Sequence, residues 1–263
     1  MTFKGLGRPF GDDGMARSSQ ALGVTAAEIW AVLTVETRGF GMLPDRRPMI
    51  LFERHIFHRL TGGKFDAVNS NISSPHAGGY AGGAAEYQRL EAAMQLDRDA
   101  ALKSASWGIG QVMGMNHQAA GFATVGEFVT AMVRNEESQL LAMGNFIRNG
   151  GLAPALQRQD WVAFARGYNG KDFKRNDYDS RLAAAHARWK TALPDLELRT
   201  AQAALTYLGF NPGPIDGLRG RLTRSALVEF QMQQNLAVTG DLDDRTEERL
   251  LAVAFPAAEV AGA

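Results

Sequence analysis

Glu36 closes the segment TAAEIWAVLTVET, and its setting is unusual for a carboxylate. At helical spacing Ile29, Val32, Leu33 and Glu36 share one face, and the other three are apolar. A charge there is costly to desolvate, so the acid is expected to stay protonated toward neutral pH. Such a carboxylic acid can hand a proton to a leaving oxygen. A second carboxylate, Glu53, lies at the far end of RRPMILFERH. It could hold a nucleophilic water, stabilise a developing positive charge, or pair structurally with Arg54 or Arg47. Asp45, in the loop between, is an alternative. Glu136 is either a third acid or a buried ion-pair anchor for an arginine near the cleft, and the second is the commoner fate of such a residue.

The uncharged stretch SASWGIGQVMG, Ser104 to Gly114, admits two chemistries. A phosphate loop needs a strand before the glycines, a helix opening after them, and often a lysine. Here a charged, alanine-rich helix precedes, the spacing is G-x-G-x-x-x-G, and no lysine follows. A polysaccharide groove needs close backbone approach, a flat apolar face and an amide. Gly108 and Gly110, Trp107 and Gln111 supply these. A helix–helix turn with a core tryptophan is the plainer alternative.

The elements that must position these groups are mostly helical. Thr25 and Glu28 form a T-x-x-E capping box, and RGFG ends that helix with its glycines. RRPMILFERH reads as a short strand or the start of a helix. GGKFDAVNSNISSPHAGGYAGG is a long loop of the kind that often binds ligands, and it carries Tyr80. AAEYQRLEAAMQLDRDAALKSA reads as one or two helices. TVGEFVTAMVRNEESQLLAMGNFIRNGG reads as one long helix with a Thr124/Glu127 capping box and Glu136 at the centre of its apolar stripe. DWVAFARGYNG follows, with Asp160 as N-cap.

Composition narrows the classes. The chain has 263 residues, 28 basic against 28 acidic side chains, and no cysteine. Disulfides and thiolate metal sites are excluded, and no general attraction to nucleic acid or anionic membrane follows from the balance. No apolar run approaches the ~18 residues of a membrane span, and the N-terminus lacks an apolar core of secretory type. His55 and His58 do not form an H-E-x-x-H pattern, so no metal and no cofactor are expected, and His55 is read as hydrogen-bonding a carboxylate.

Order along the chain gives these segments a common meaning. AVLTVETRGFG, RPMILFERHIF, GGY, ASWGIGQVMG and FARGYNG occur in sequence. Phe3 to Trp189 thereby resembles the lysozyme-like superfamily, and more specifically a phage-type endolysin N-acetylmuramidase family. The resemblance implies a mainly α, α+β lysozyme-like catalytic domain with a small β element. It implies one glycan-cleaving cleft with Glu36 as catalytic acid and Glu53 as its candidate partner. Trp107, Gln111, Tyr168, Asn169, Tyr80 and His55 would bind substrate there.

After the hinge ALPDLE, the segment LGF, GPIDGLRG, Thr223, EFQ and AVTGDLDDRT resembles the three-helix peptidoglycan-binding domain. Asp216, Gly217 and Arg219 are its candidate wall-binding residues, or else only form its turn, with Asp216 capping the next helix. The expected division is 1–192 catalytic and 197–254 wall-binding, with a disordered tail PAAEVAGA. The second unit would act as a tether that raises local concentration on an insoluble substrate. The expected partner is peptidoglycan, with no nucleic acid, no membrane insertion and a monomeric state. The expected location is the cytoplasm until release, then the wall in the periplasm. The rival readings are a lytic transglycosylase and a non-catalytic wall-binding protein.

Overall fold

The computed structural model describes residues 2–256, so the tail beyond Pro256 lies outside the described residues. The chain is mainly helical. The first part runs through α1 (Asp12–Leu22), α2 (Ala26–Thr37), α3 (Arg54–Thr61), α4 (Glu86–Leu96), α5 (Arg98–Lys103), α6 (Val125–Arg134), α7 (Glu136–Asn149), α8 (Ala153–Gln157), α9 (Trp161–Tyr168) and α10 (Tyr178–Trp189). One small antiparallel sheet interrupts it, in the order β1 (Ile50–Phe52), β2 (Ala105–Trp107), β3 (Val112–Met113). Its register pairs Ile50 with Trp107, Phe52 with Ala105, and Trp107 with Val112. The second part is α11 (Leu196–Tyr207), α12 (Arg221–Gln233) and α13 (Asp244–Ala254).

The α2 helix is the axis of the first part. Its capping box forms as the sequence predicts. Burial extends beyond the expected face: Trp30, Ala31 and Val35 are buried as well as Ile29, Val32 and Leu33. The α10 helix fixes α2 with polar bonds along its length. His186 Nε2 lies 2.8 Å from the buried Glu28, Trp189 Nε1 donates to Thr34 at 2.8 Å, and Arg181 donates to the Val35 carbonyl at 3.1 Å.

Four local expectations change. The helix containing Glu36 is closed by Arg38, not by a glycine. Arg38 takes the left-handed conformation (φ 59°), and Gly39 follows at φ 88°. The segment 124–150 is two helices, because Asn135 is extended (φ −169°) and caps α7 through the Ser138 amide. Glu136 therefore begins a helix instead of sitting mid-stripe. Only half of the Thr124/Glu127 box forms: Thr124 accepts from the Glu127 amide, while Glu127 reaches the Ala123 amide. RRPMILFERH is both of its alternatives in turn, a strand to Phe52 and a helix from Arg54.

SASWGIGQVMG folds as the β2–β3 hairpin, closed by the Gln111 amide donating to the Gly108 carbonyl. Its glycines are needed because the hairpin presses on α7. A Cβ at Gly108 would stand 2.5 Å from Gln139, and one at Gly110 2.7 Å from Met143. They face protein, not a ligand, which corrects the expectation of a glycine-lined groove.

In the second part, two buried glutamines each sew one turn. Gln202 accepts from the amides of Asp216 and Gly217, and Gln231 accepts from those of Thr239 and Gly240. A small core of Ala201, Leu205, Leu227, Phe230 and Leu250 lies between its helices.

Candidate active site

Glu36 reaches the end of α2 with its carboxyl held among protein groups. Asn169, which caps α9, donates Nδ2 to Glu36 Oε1 at 2.7 Å. Burial pushes the carboxyl from 4.5 up to about 7, against the opposing pull of Asn169 and Arg181. Tyr168 is placed beside it, its hydroxyl donating to the Gly110 carbonyl at 2.6 Å. Burial, then the charge of Glu36, raises that phenol well above its usual range. Thr37 ties the same helix end to the hairpin, donating to the Ile109 carbonyl at 3.0 Å.

A second carboxylate stands on β1's far end. Glu53 starts α3 and accepts from the Tyr80 hydroxyl through both oxygens, at 3.1 and 2.9 Å. His55 Nδ1 lies 3.1 Å from Glu53 Oε2. Partial burial and the Glu53 carboxylate push the Tyr80 phenol up to about 12. Tyr178, at the start of α10, is raised by burial and then by both Glu36 and Glu53, with Arg181 opposing. The Tyr178 phenol thus feels both carboxylates.

The loop that carries Tyr80 is anchored by a buried pair. Glu86 accepts from the amides of Phe52, Ala81 and Gly82, and Arg89 binds it at 2.8 Å while donating to the Phe52 and Asn71 carbonyls. Burial alone would raise the Glu86 carboxyl, but these donors outweigh it and hold it below the usual range. The pair fixes Glu53 and Tyr80 together, since Phe52 and Ala81 are their chain neighbours. Arg54 adds bonds to the His76 and Ala77 carbonyls.

The remaining expected residues divide. Trp107 is fully buried, with Nε1 on the Leu102 carbonyl and its ring beside Phe3, so it has no face for a sugar. Gln111 spends its amide on Met49 and Gly108 and accepts from Ser106, which makes it a brace for the hairpin. Asp45 is held below its usual range because two bonds from Arg47 outweigh its burial. Glu136 pairs with Arg199 in the interior, far along the chain, at 2.7 Å.

In the second unit Asp216 does not cap the next helix, whose N-cap is Gly220; it accepts from the Leu218 amide within the turn. Gly217 is required by space, since a Cβ there would stand 2.5 Å from the Asp195 carbonyl. Arg219 is exposed at the rim of a 440 Å³ cavity with Leu198, Thr223, Arg224 and Asp241. Sequence reasoning missed Tyr178, Arg181, Glu86, Arg89 and Arg199. A Glu-x-x-Arg spacing after a glycine loop was the one available signal, for Glu86 and Arg89.

Residues 25–190 match the N-acetylmuramidase family, and residues 195–250 match the peptidoglycan-binding domain family. The crystal structure of the Burkholderia AP3 phage endolysin is similar, with a TM-score of 0.64 and 40% identity over 70% of this chain and 73% of that one. No curated protein matches the chain. With a muramidase domain and a peptidoglycan-binding unit on one chain, the protein is a cell-wall hydrolase, and the chain belongs to the N-acetylmuramidase family.

Proposed function

We propose that the protein cleaves the β-1,4 bond between N-acetylmuramic acid and N-acetylglucosamine, with Glu36 as general acid. The observation that carries this is the Glu36 carboxyl, half-buried at the end of α2 and gripped through one oxygen by Asn169, where desolvation raises its pKa to about 7. A proton on the other oxygen is available at neutral pH to the glycosidic oxygen. As the C1–O bond breaks, positive charge grows on the sugar ring. Glu53, oriented by Tyr80, stabilises that charge or directs the water that attacks C1. The water's hydroxyl goes to C1 and its proton to a carboxylate, so hydrolysis balances. Tyr178 and Tyr168 frame the acid, and Tyr80, about half exposed, offers its ring to an acetamido sugar.

The C-terminal unit holds peptidoglycan, with Arg219 at its exposed cavity as the candidate contact. Likeness to a phage endolysin supports a bacteriolytic role, with the protein reaching the wall after release from the cytoplasm. No helix among the described residues is long and apolar enough to cross a membrane. A monomer suffices for this chemistry, because both carboxylates come from one chain.

The test is mass spectrometry of digested peptidoglycan. Hydrolysis adds one water to each cleaved bond, and Glu36→Gln lowers kcat by about 10²–10⁴-fold, the usual worth of a general acid. Anhydro products would make the enzyme a lytic transglycosylase instead. Undiminished lysis by the variant would remove Glu36 from the chemistry.

A further inference from the structure

The α11 helix belongs to the wall-binding unit, yet it presents a second stripe to the catalytic domain. Arg199, Ala203 and Tyr207 recur at four-residue spacing. Ala203 packs with Phe40 and Met42, and the Tyr207 hydroxyl donates to the Gly7 carbonyl at 2.8 Å while Arg46 lies over its ring. Arg199 goes deepest. It is wholly buried, its guanidinium over Phe10 and near Trp30 and Phe40.

Its bonds fall on the turn that leaves the acid. Arg199 Nε and Nη2 donate to the Gly39 carbonyl at 3.2 and 2.7 Å. Nη2 also binds both oxygens of Glu136, at 2.9 and 2.7 Å. Glu136 in turn accepts from the Gly41 amide at 2.8 Å. The relay continues inward: the Gly41 carbonyl accepts from Met49, and the Met49 carbonyl from Gly108. On its other side the Gly39 amide closes α2 on the Leu33 carbonyl, one turn before Glu36. Gly41 has no slack, since a Cβ there would stand 2.5 Å from the Ile109 nitrogen.

Stability alone is a weak reason for such a pair. A buried ion pair is often matched by apolar side chains of similar volume. Arg199 Nη1 is moreover buried with no hydrogen-bond partner, which costs free energy. What apolar side chains cannot do is hold a carbonyl at Gly39 and an amide at Gly41 in one geometry.

We propose that Arg199 is a positioning residue for glycan cleavage, supplied to the catalytic cleft by the wall-binding unit through Gly39, Glu136 and Gly41. The unit is then part of the enzyme, and the acid is aimed only when the two are docked. This rests on the reading of Glu36 as the acid. Misplacing an acid by about 1 Å costs about 10²-fold in rate, so the turn needs to yield only slightly for the effect to be measurable.

The test uses full-length Arg199→Lys, Arg199→Met and the double Arg199→Met/Glu136→Met. Retention on sacculi, thermal unfolding, and kcat, KM and pH profile on a soluble peptidoglycan hexasaccharide are measured for each. A hexasaccharide removes the advantage of tethering. The expected result for Arg199→Met is a kcat at least about tenfold lower, with unchanged KM and sacculus retention. The alkaline limb of kcat should move to lower pH as water reaches Glu36. That side chain is otherwise faced by Tyr168 and Asn169 of α9 and Tyr178 and Arg181 of α10. Arg199→Lys keeps the charge but not the forked reach, and falls between. The double variant should recover melting temperature without recovering kcat or the limb. Wild-type kcat and pH limb in folded variants, or activity returning in step with melting temperature, would overturn the proposal. A fully active Glu36→Gln would instead overturn the reading beneath it, so the two failures are distinct.

Discussion

A carboxyl that titrates near 7 must weaken the fold that holds it. Unfolded, Glu36 releases its proton near 4.5; folded, it keeps it to about 7. Between those values the native state binds the extra proton, so stability falls as pH rises and levels off above about 7. The difference corresponds to about 3 kcal/mol at pH 8, at about 1.4 kcal/mol per unit. Glu36→Gln removes the burden: it should unfold at higher urea than wild type at pH 8 and at nearly the same urea at pH 4. An equal gain at both pH values would mean the carboxyl is not the cause. Arg38 stores a second local cost, because a left-handed conformation is unfavourable for a residue with a Cβ. Its side chain is exposed, so Arg38→Gly should stabilise the protein by about 1 kcal/mol in urea denaturation.

At the scale of elements, the site is assembled by what its supports exclude. The hairpin lies against α7 at glycine distance, and its tryptophan points into the core. Trp107→Phe should therefore cost about 2 kcal/mol in stability and leave KM for peptidoglycan alone. A raised KM at unchanged melting temperature would restore Trp107 to the substrate. The Glu86–Arg89 pair does for the glycine loop what α10 does for α2. Each holds the backbone close to one carboxylate.

For the whole molecule, docking sets how the chain unfolds. All four tryptophans, Trp30, Trp107, Trp161 and Trp189, precede the hinge, so their fluorescence reports the catalytic domain only. Circular dichroism of the helices reports both units. With Arg199 buried and Tyr207 and Arg46 clasped across the interface, the two urea curves should coincide. Two separated midpoints in wild type would mean that the units are linked only by the chain.

The sequence by itself determined the helical class, the two families along the chain and the odd setting of Glu36. Those follow from local signals: periodic apolar residues, a capping threonine, and a carboxylate out of place on a greasy face. It also singled out Asn169 and Tyr80, which the fold hydrogen-bonds to Glu36 and Glu53. Tertiary structure alone decided the rest. Whether a glycine meets sugar or Met143, whether a tryptophan stacks or is buried, and which arginine answers Glu136 depend on surfaces distant in sequence. Asn135 lies inside the segment that reads as one long helix, yet its cap on Ser138 splits that helix, and Glu136 pairs with Arg199. Local pattern carries no information about a partner that lies in another unit of the chain, because desolvation and charge pairing act through space.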